Sequence, residues 1–268
     1  MGNSQTITGP ILTIPYISVK KDNNKILRER KFAHFLPEKL VITGEVNPIV
    51  RKRGIYKAML YEASLHISGI HTIPELNTEL LDADEILYDE SFFEIGIPDM
   101  RGIINEVTFN WNGSNFTAEP GLPDYDIVPT GMHIPVNLKG LPEQTSRPFQ
   151  CTLNINGSDN ISFIPIGKET SVKISSPWHS PSFSGAFLPQ KRSVSENGFS
   201  AEWNILHFNR SYPQSWVGQG YNIFTSAFGL RMITPVQHYQ MITRSVKYAS
   251  LIIFLTFMLF FIIEIAKN

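Results

Sequence analysis

Cysteine is nearly missing: Cys151 is the only one in 268 residues. A lone thiol excludes an intrachain disulfide framework and any CxxC metal or redox motif. An excess of charge is missing too, since 23 Lys and Arg stand against 24 Asp and Glu. That balance leaves no basic footprint for nucleic acid. There is no GxSxG elbow, HExxH, P-loop or GxGxxG, so the common signatures of hydrolases, zinc proteases and nucleotide enzymes are not met. The first eight residues are short and polar and carry no secretory signal. Residues 1–6 formally fit a myristoylation pattern, but that pattern is too short to carry weight. Sequons at Asn112, Asn115, Asn156, Asn160 and Asn209 matter only in a eukaryotic secretory pathway.

What the chain does have is turn and strand chemistry. Eighteen glycines and eighteen prolines, with many threonines and aromatics, predict a mainly β protein, large enough to bury a core. Residues 55–68 alternate most clearly. Ile55, Met59, Tyr61, Ala63, Leu65 and Ile67 share the apolar face, with Lys57 as the exception, and a strand of that length is expected to bend or bulge. Thr6–Val19 contains Pro10 and Pro15 and reads as an edge strand or extended lead-in. A charged hairpin is expected around Asp22-Asn23-Asn24. Asn-Gly pairs at 112–113, 156–157 and 197–198 predict hairpin tips, because they supply the positive φ angles of tight turns. Antiparallel pairing is therefore the default. Residues 75–89 read as a short helix or a loop. Gly44-x-x-x-Pro48-x-x-Arg51 is echoed by Gly185-x-x-x-Pro189-x-x-Arg192, which leaves open two related β units.

The one long hydrophobic run is Tyr248–Ile263, sixteen residues without a charge. As helix it rises about 24 Å, against a hydrocarbon core of about 30 Å. It is just long enough to span, with Glu264 near a headgroup layer. Thr234-Pro235-Val236-Gln237 forms a capping box with proline at the first helical position, so the predicted helix starts well before the apolar run. The expected division is a β domain over 1–233 and a capped transmembrane helix over 234–268.

The candidates for chemistry are few. The seven histidines are scattered, and His66 and His71 read as solvent-facing strand positions. The acidic residues Asp82, Asp84, Glu85, Asp89 and Glu90 lack EF-hand spacing. They read as a solvated face, as do Asp124 and Asp126 in a Pro-Asp-Tyr-Asp loop. No metal ligand, cofactor site or catalytic residue is expected. The densest unusual stretch runs from Trp178 to Pro189. Its Trp178, His179, Pro181, Ser182, Phe183, Gly185 and Phe187 form a candidate interaction or structural corner, with the aromatics packing between sheets. Glu264 is a candidate intramembrane contact, or else an interfacial residue.

Several motifs in order resemble one family. They are Gln5-Thr6-Ile7-Thr8-Gly9-Pro10 with Ile14-Pro15-Tyr16, Arg53-Gly54-Ile55-Tyr56, Asp99-Met100-Arg101-Gly102, the Trp178–Pro189 stretch, and Pro235-Val236-Gln237-His238-Tyr239-Gln240 followed by Arg244, Lys247-Tyr248 and Leu255-Thr256-Phe257. The chain is similar in these to the CreD family of bacterial inner-membrane proteins. The fold expected is an antiparallel, β-sandwich-like domain, and the resemblance implies a large β-rich domain outside the cytoplasm, flanked by an N-terminal membrane helix and several C-terminal ones, so a truncated chain is expected here. It implies envelope integrity, or a stress, β-lactam or colicin response, without catalysis. Partners would be the lipid bilayer, other membrane helices and an envelope protein, not nucleic acid. The alternatives are a protein binding or acting on envelope polymer or lipid, and a transport bundle in the complete protein. Arg244 and Lys247 before the span weakly favour a cytoplasmic domain by the positive-inside rule. The resemblance implies a periplasmic one, and large domains cross largely regardless of local charge.

Overall fold

The computed structural model describes residues 2–22, 25–53, 56–76, 83–232 and 236–267. The chain divides into two compact units, residues 1–232 and 233–268.

The first unit is mainly β and is built from two mixed sheets. The eight-stranded sheet runs in the order β15 (Lys191–Ser195), β16 (Gly198–Leu206), β13 (Glu169–Ser176), β3 (Lys39–Arg53), β4 (Tyr56–Thr72), β11 (Ser146–Ser158), β7 (Thr108–Trp111), β8 (Ser114–Thr117). The ten-stranded sheet follows β14 (Pro181–Gly185), β18 (Phe228–Met232), β12 (Asn160–Phe163), β1 (Gln5–Asp22), β6 (Phe92–Gly96), β10 (Gly131–Pro135), β9 (Glu119–Pro120). Three further strands, β2 (Lys25–Phe35), β5 (Ala83–Ile86) and β17 (Ser215–Val217), attach through β1 and β2.

Period-2 patterning places the core. On β4, Met59, Tyr61, Ala63, Leu65 and Ile67 are buried while Glu62, Ser64 and His66 are exposed. The expected bulge is not there: β3 and β4 pair without a register shift from Lys39↔Ile70 to Arg53↔Tyr56. Ile55 lies outside the described residues. On β16, Phe199, Ala201, Trp203 and Ile205 point inward. The two sheets meet through aromatic rings. Phe93 of β6 lies 4.9 Å from Phe109 and 5.3 Å from Trp111 of β7. Trp203 of β16 lies 5.7 Å from Phe228 of β18.

Strand β1 is central, not the expected edge. It pairs with β12, β2, β5 and β6 along its length. Its prolines are tolerated because the ladders give way near them. Pro10 falls where the β6 register shifts between Thr8 and Ile11, and a strand proline is accommodated at such an irregularity. The charged hairpin is present, closed by Asp22↔Lys25, with Asn23 and Asn24 outside the described residues. Antiparallel pairing dominates, but β1–β12 and β3–β13 are parallel.

The three Asn-Gly pairs differ. Asn112 (φ 50°) and Gly113 (φ 86°) form the tip between β7 and β8. Between β15 and β16 the closing pair is Ser195↔Gly198, so Glu196 and Asn197 are the loop. Asn156-Gly157 is no tip: both residues stay in β11, and Gly157 sits opposite Tyr61, whose hydroxyl oxygen would lie 2.2 Å from an added Cβ. Here glycine makes room for a ring rather than a turn. The positive φ falls on Asp159, at 62°, where the chain passes from one sheet to the other. The echoed Gly-Pro-Arg segments are not equivalent either. The first lies inside β3, whereas the second spans the end of β14, a turn and β15.

Residues 83–90 form no α-helix: they contribute β5 and a short 3-10 turn, Tyr88–Glu90, and residues 77–82 lie outside the described residues. Of the acidic cluster, Asp84 and Glu90 form surface ion pairs, Arg28–Asp84 at 3.3 Å and Arg30–Glu90 at 2.7 Å, while Asp82 lies outside the described residues. Cys151 is buried on β11, and burial pushes its thiol up to about 12, so it is not a reactive thiolate.

The N-terminal segment is clamped by Asp99. Its carboxylate accepts from the amides of Asn3 (3.0 Å) and Arg101 (3.2 Å) and from the Arg101 guanidinium (2.8 Å), while its carbonyl accepts from Gln5 Nε2 at 3.0 Å. The Arg101 hydrogen bonds hold its carboxyl well below the usual range. Asp99→Ala is expected to cost about 1–2 kcal/mol, mainly from the freed amides, because the guanidinium pair is largely exposed and adds little. The sign follows from a lowered carboxyl. Its contribution is present above the unfolded carboxylate range and lost as pH falls through the folded value. Urea unfolding of both proteins at neutral and acid pH checks this, and an unchanged midpoint would refute the clamp.

The second unit is one helix, α1 (Val236–Lys267). Within it the 25-residue segment Ile242–Ala266, whose most apolar 18-residue stretch has a mean hydropathy of 2.5 and no burial, is long and apolar enough to cross a membrane. Thr234 and Pro235 of the expected cap lie outside the described residues.

Candidate functional site

The Trp178–Pro189 stretch forms β14, at one end of the ten-stranded sheet, and the turns that flank it. Trp178 is half-buried: its indole donates to Ser180 O at 3.0 Å, and its ring lies 5.1 Å from that of exposed His179. Pro181, Ser182 and Phe183 are half-buried. Phe183 packs edge-on against Phe199 and Trp203, both at 5.8 Å. Phe187 packs on Phe228 at 6.1 Å, and its carbonyl accepts from Trp203 Nε1. Gly185 has φ 101°, and an added Cβ would meet Ala227 O at 2.3 Å, so glycine is required there. Phe183 thus joins the two sheets, while His179 and Ser182 share no hydrogen bond among the described residues. Glu264 is exposed near the end of the apolar segment, beside Phe257, Phe260 and Phe261.

A second constellation is built from residues that the sequence left apart. Cross-strand register gathers it. Thr13 of β1 pairs with His34 of β2, Ile11 with Glu94 of β6, and Trp216 of β17 with His34. Directly paired residues share a face. Phe93 points into the intersheet core, so neighbouring Glu94 points to the opposite face. The 121–130 loop covers that face with buried Leu122, Asp124, Ile127 and Val128. His34 and Glu94 are both fully buried, and Asp124 is 5% exposed. The expectation that Asp124 lies in a solvated loop is therefore corrected. So is the solvent-facing reading of His71, which is buried between Phe93 and Phe149. Both residues occupy inward positions set by the strands around them.

The hydrogen bonds within this cluster are specific. The Thr13 hydroxyl donates to Glu94 Oε1 and lies 3.0 Å from His34 Nδ1. The Asp126 amide donates to Asp124 Oδ1 at 3.0 Å, which shapes the loop. His34 Nε2 lies 3.5 Å from Asp126 Oδ2. Among the described residues, three buried atoms of this cluster have no hydrogen-bond partner: His34 Nε2, Glu94 Oε2 and Asp124 Oδ2. Burial, with the nearby Asp124 charge, drives the Glu94 carboxyl well above its ordinary value. Burial also lowers His34, against the pull of Asp124 and Asp126. Strand parity could have placed His34 inward. Nothing in the sequence spacing could have brought positions 34, 94 and 124 together.

Comparison with known proteins addresses the whole chain. Solved structures with low similarity include a putative nutrient binding protein from Legionella pneumophila, at TM-score 0.41 and 8% identity, covering 81% of this chain and 71% of that one. Another is an M1 zinc metallopeptidase from Deinococcus radiodurans, at TM-score 0.27 and 7% identity, covering 63% and 39%. Inner membrane protein CreD of Escherichia coli K12 is 34% identical over 267 residues, which is 97% of this chain and 58% of that protein. The chain thus spans a little over half the length of this relative. The family described as "Inner membrane protein CreD" matches residues 1–268. With a two-sheet β unit and an apolar helix in the same chain, it belongs to the CreD family of inner membrane proteins.

Proposed function

We propose that residues 1–232 work in the periplasm as an interaction or sensing module of the cell envelope, tethered by the 242–266 segment, in envelope integrity or the response to envelope stress. The observation that carries this reading is the pairing of a large β unit with one helix that contains a segment long and apolar enough to cross a membrane. A non-catalytic role is supported by the Trp178–Pro189 corner. Its His179 and Ser182 are not linked as nucleophile and base, which such catalysis requires. The edge strand β14 is the surface assigned to a protein partner, since an unpaired strand edge offers main-chain donors and acceptors. Glu264 is assigned to contact with other membrane helices, because an ionisable group in an apolar span seeks a polar partner.

Orientation is tested in the full-length protein in its native membrane. Ser193→Cys puts a thiol on exposed β15, while native Cys151 stays buried. A membrane-impermeant maleimide is expected to label Ser193→Cys in intact spheroplasts as fully as in lysed ones. Labelling only after lysis would overturn the periplasmic assignment.

A further inference from the structure

We propose that His34, Glu94 and Asp124 form a binding site for one divalent transition-metal cation, of the class of Zn²⁺ or Mn²⁺. The site lies under the 121–130 loop, on the face of the ten-stranded sheet turned away from the intersheet core. Each of the three residues offers one ligand atom, and these atoms lie within 4.8 Å of one another. A tetrahedral ion with bonds of about 2.1 Å wants its ligand atoms about 3.4 Å apart, so a small inward rotation of the side chains completes the set.

The acidic groups alone would not make a site. The deciding feature is the unspent valences. His34 and Glu94 are fully buried and Asp124 nearly so, and among the described residues each leaves one side-chain atom, Nε2, Oε2 and Oδ2, without a hydrogen-bond partner. Such atoms are costly to bury unless something satisfies them. A single proton can bridge two of the three and leaves one open. The Thr13 hydroxyl donates its hydrogen to Glu94, so towards His34 Nδ1 it can only accept. Nδ1 then carries the imidazole hydrogen, and Nε2 presents a lone pair 3.5 Å from the Asp126 carboxylate. Two electron-rich groups face each other there. A divalent cation held by one atom from each of the three residues would offset the two carboxylate charges together.

The ligand set also selects among cations. An imidazole with carboxylates suits first-row divalent ions, whereas Ca²⁺ and Mg²⁺ prefer sites made only of oxygen. Thr13 and Asp126 support the ligands from outside, as groups bonded to metal-binding histidines and carboxylates commonly do. Asp126 is the one partly open member, with its side chain 21% exposed, and it marks the side from which an ion would reach the others. Once bound, the cation would fasten the loop to β2 and β6.

The test uses the full chain in detergent, stripped with a chelator and then dialysed against Zn²⁺ or Mn²⁺ alone. One ion per chain is expected to survive gel filtration and to raise the melting temperature. Glu94→Gln and Asp124→Asn are expected to abolish binding with the circular dichroism spectrum unchanged. Glu94→Gln keeps the shape of a neutral carboxyl, so it should fold even if His34→Ala does not. Asp126→Asn and Thr13→Val should weaken binding by about 10–100-fold. Glu119→Gln, beside His133 at a nearby surface pair, should change nothing. No retained ion would overturn the proposal and leave a proton-sharing cluster. So would binding that survives both Glu94→Gln and Asp124→Asn, or a preference for Ca²⁺ over Zn²⁺ and Mn²⁺.

Discussion

Trp203→Ala should lower the unfolding free energy of the β unit by about 4 kcal/mol, the middle of the range for a buried tryptophan truncation. Trp203 is 1% exposed and belongs to the eight-stranded sheet, while its neighbours Phe183 and Phe228, at 5.8 and 5.7 Å, belong to the ten-stranded one. The indole is thus a joint between sheets, and its loss opens a cavity that neither sheet can close alone. The Phe187 carbonyl also loses its donor. Trp203→Phe keeps the ring and most of the volume, so it should cost clearly less, about 1.5 kcal/mol. Urea unfolding of the full chain in detergent, followed by far-ultraviolet circular dichroism, measures both. A loss under about 1 kcal/mol for the alanine variant would mean that the sheets are held elsewhere.

The same residue shows what patterning can and cannot reveal. Its inward position follows from alternation along 199–205, as does that of Tyr61 along β4. Alternation is local, so it survives any ignorance of topology. The central position of β1 was not legible, because Pro10 and Pro15 argue for an edge on local grounds. Only the shifted ladder around Pro10, a tertiary fact, removes the conflict. Asn156-Gly157 misled for a related reason. A glycine is needed both where φ is positive and where another group comes close, and the sequence does not distinguish the two. The apolar helix needed no partner to be recognised, since length and hydropathy suffice.

Sites divide in the same way. The corner from Trp178 to Pro189 is contiguous, so its aromatics were visible as a unit before their packing partners were known. The His34, Glu94 and Asp124 cluster is assembled by pairing between β1, β2 and β6 and by a covering loop. Its members stand 60 and 30 residues apart in the chain. Histidine spacing along a chain reports on metal sites built from one helix or one turn. It is silent on those built across a sheet, and Asp124 looked solvated because a proline-rich loop usually is.

His71 should make the β unit sensitive to mild acid. It is fully buried beside Phe93 and Phe149, at 5.2 and 5.6 Å, with Nε2 3.2 Å from Pro10 O. Burial lowers it from 6.5 to about 4. The unfolded chain therefore takes up a proton near pH 6.5 that the folded chain refuses until about pH 4. More protons on the unfolded side mean that stability rises with pH in this window. The contribution is fully present above pH 6.5 and is lost progressively on the way down to about pH 4, for a total of roughly 3 kcal/mol. His71→Gln keeps a donor for Pro10 O but has no proton to gain. At neutral pH the variant should be less stable than the parent by about 1–2 kcal/mol, through its lost ring contacts. Towards pH 4.5 the gap should close or reverse, because only the parent pays the protonation cost. Urea unfolding of both proteins between pH 7.5 and 4.5 reads this directly, and the titrations of Glu94, His34 and Asp99 are common to both and cancel in the difference. Parallel pH profiles would mean that the His71 imidazole titrates alike in the folded and unfolded chains, and would remove it as the source of acid sensitivity.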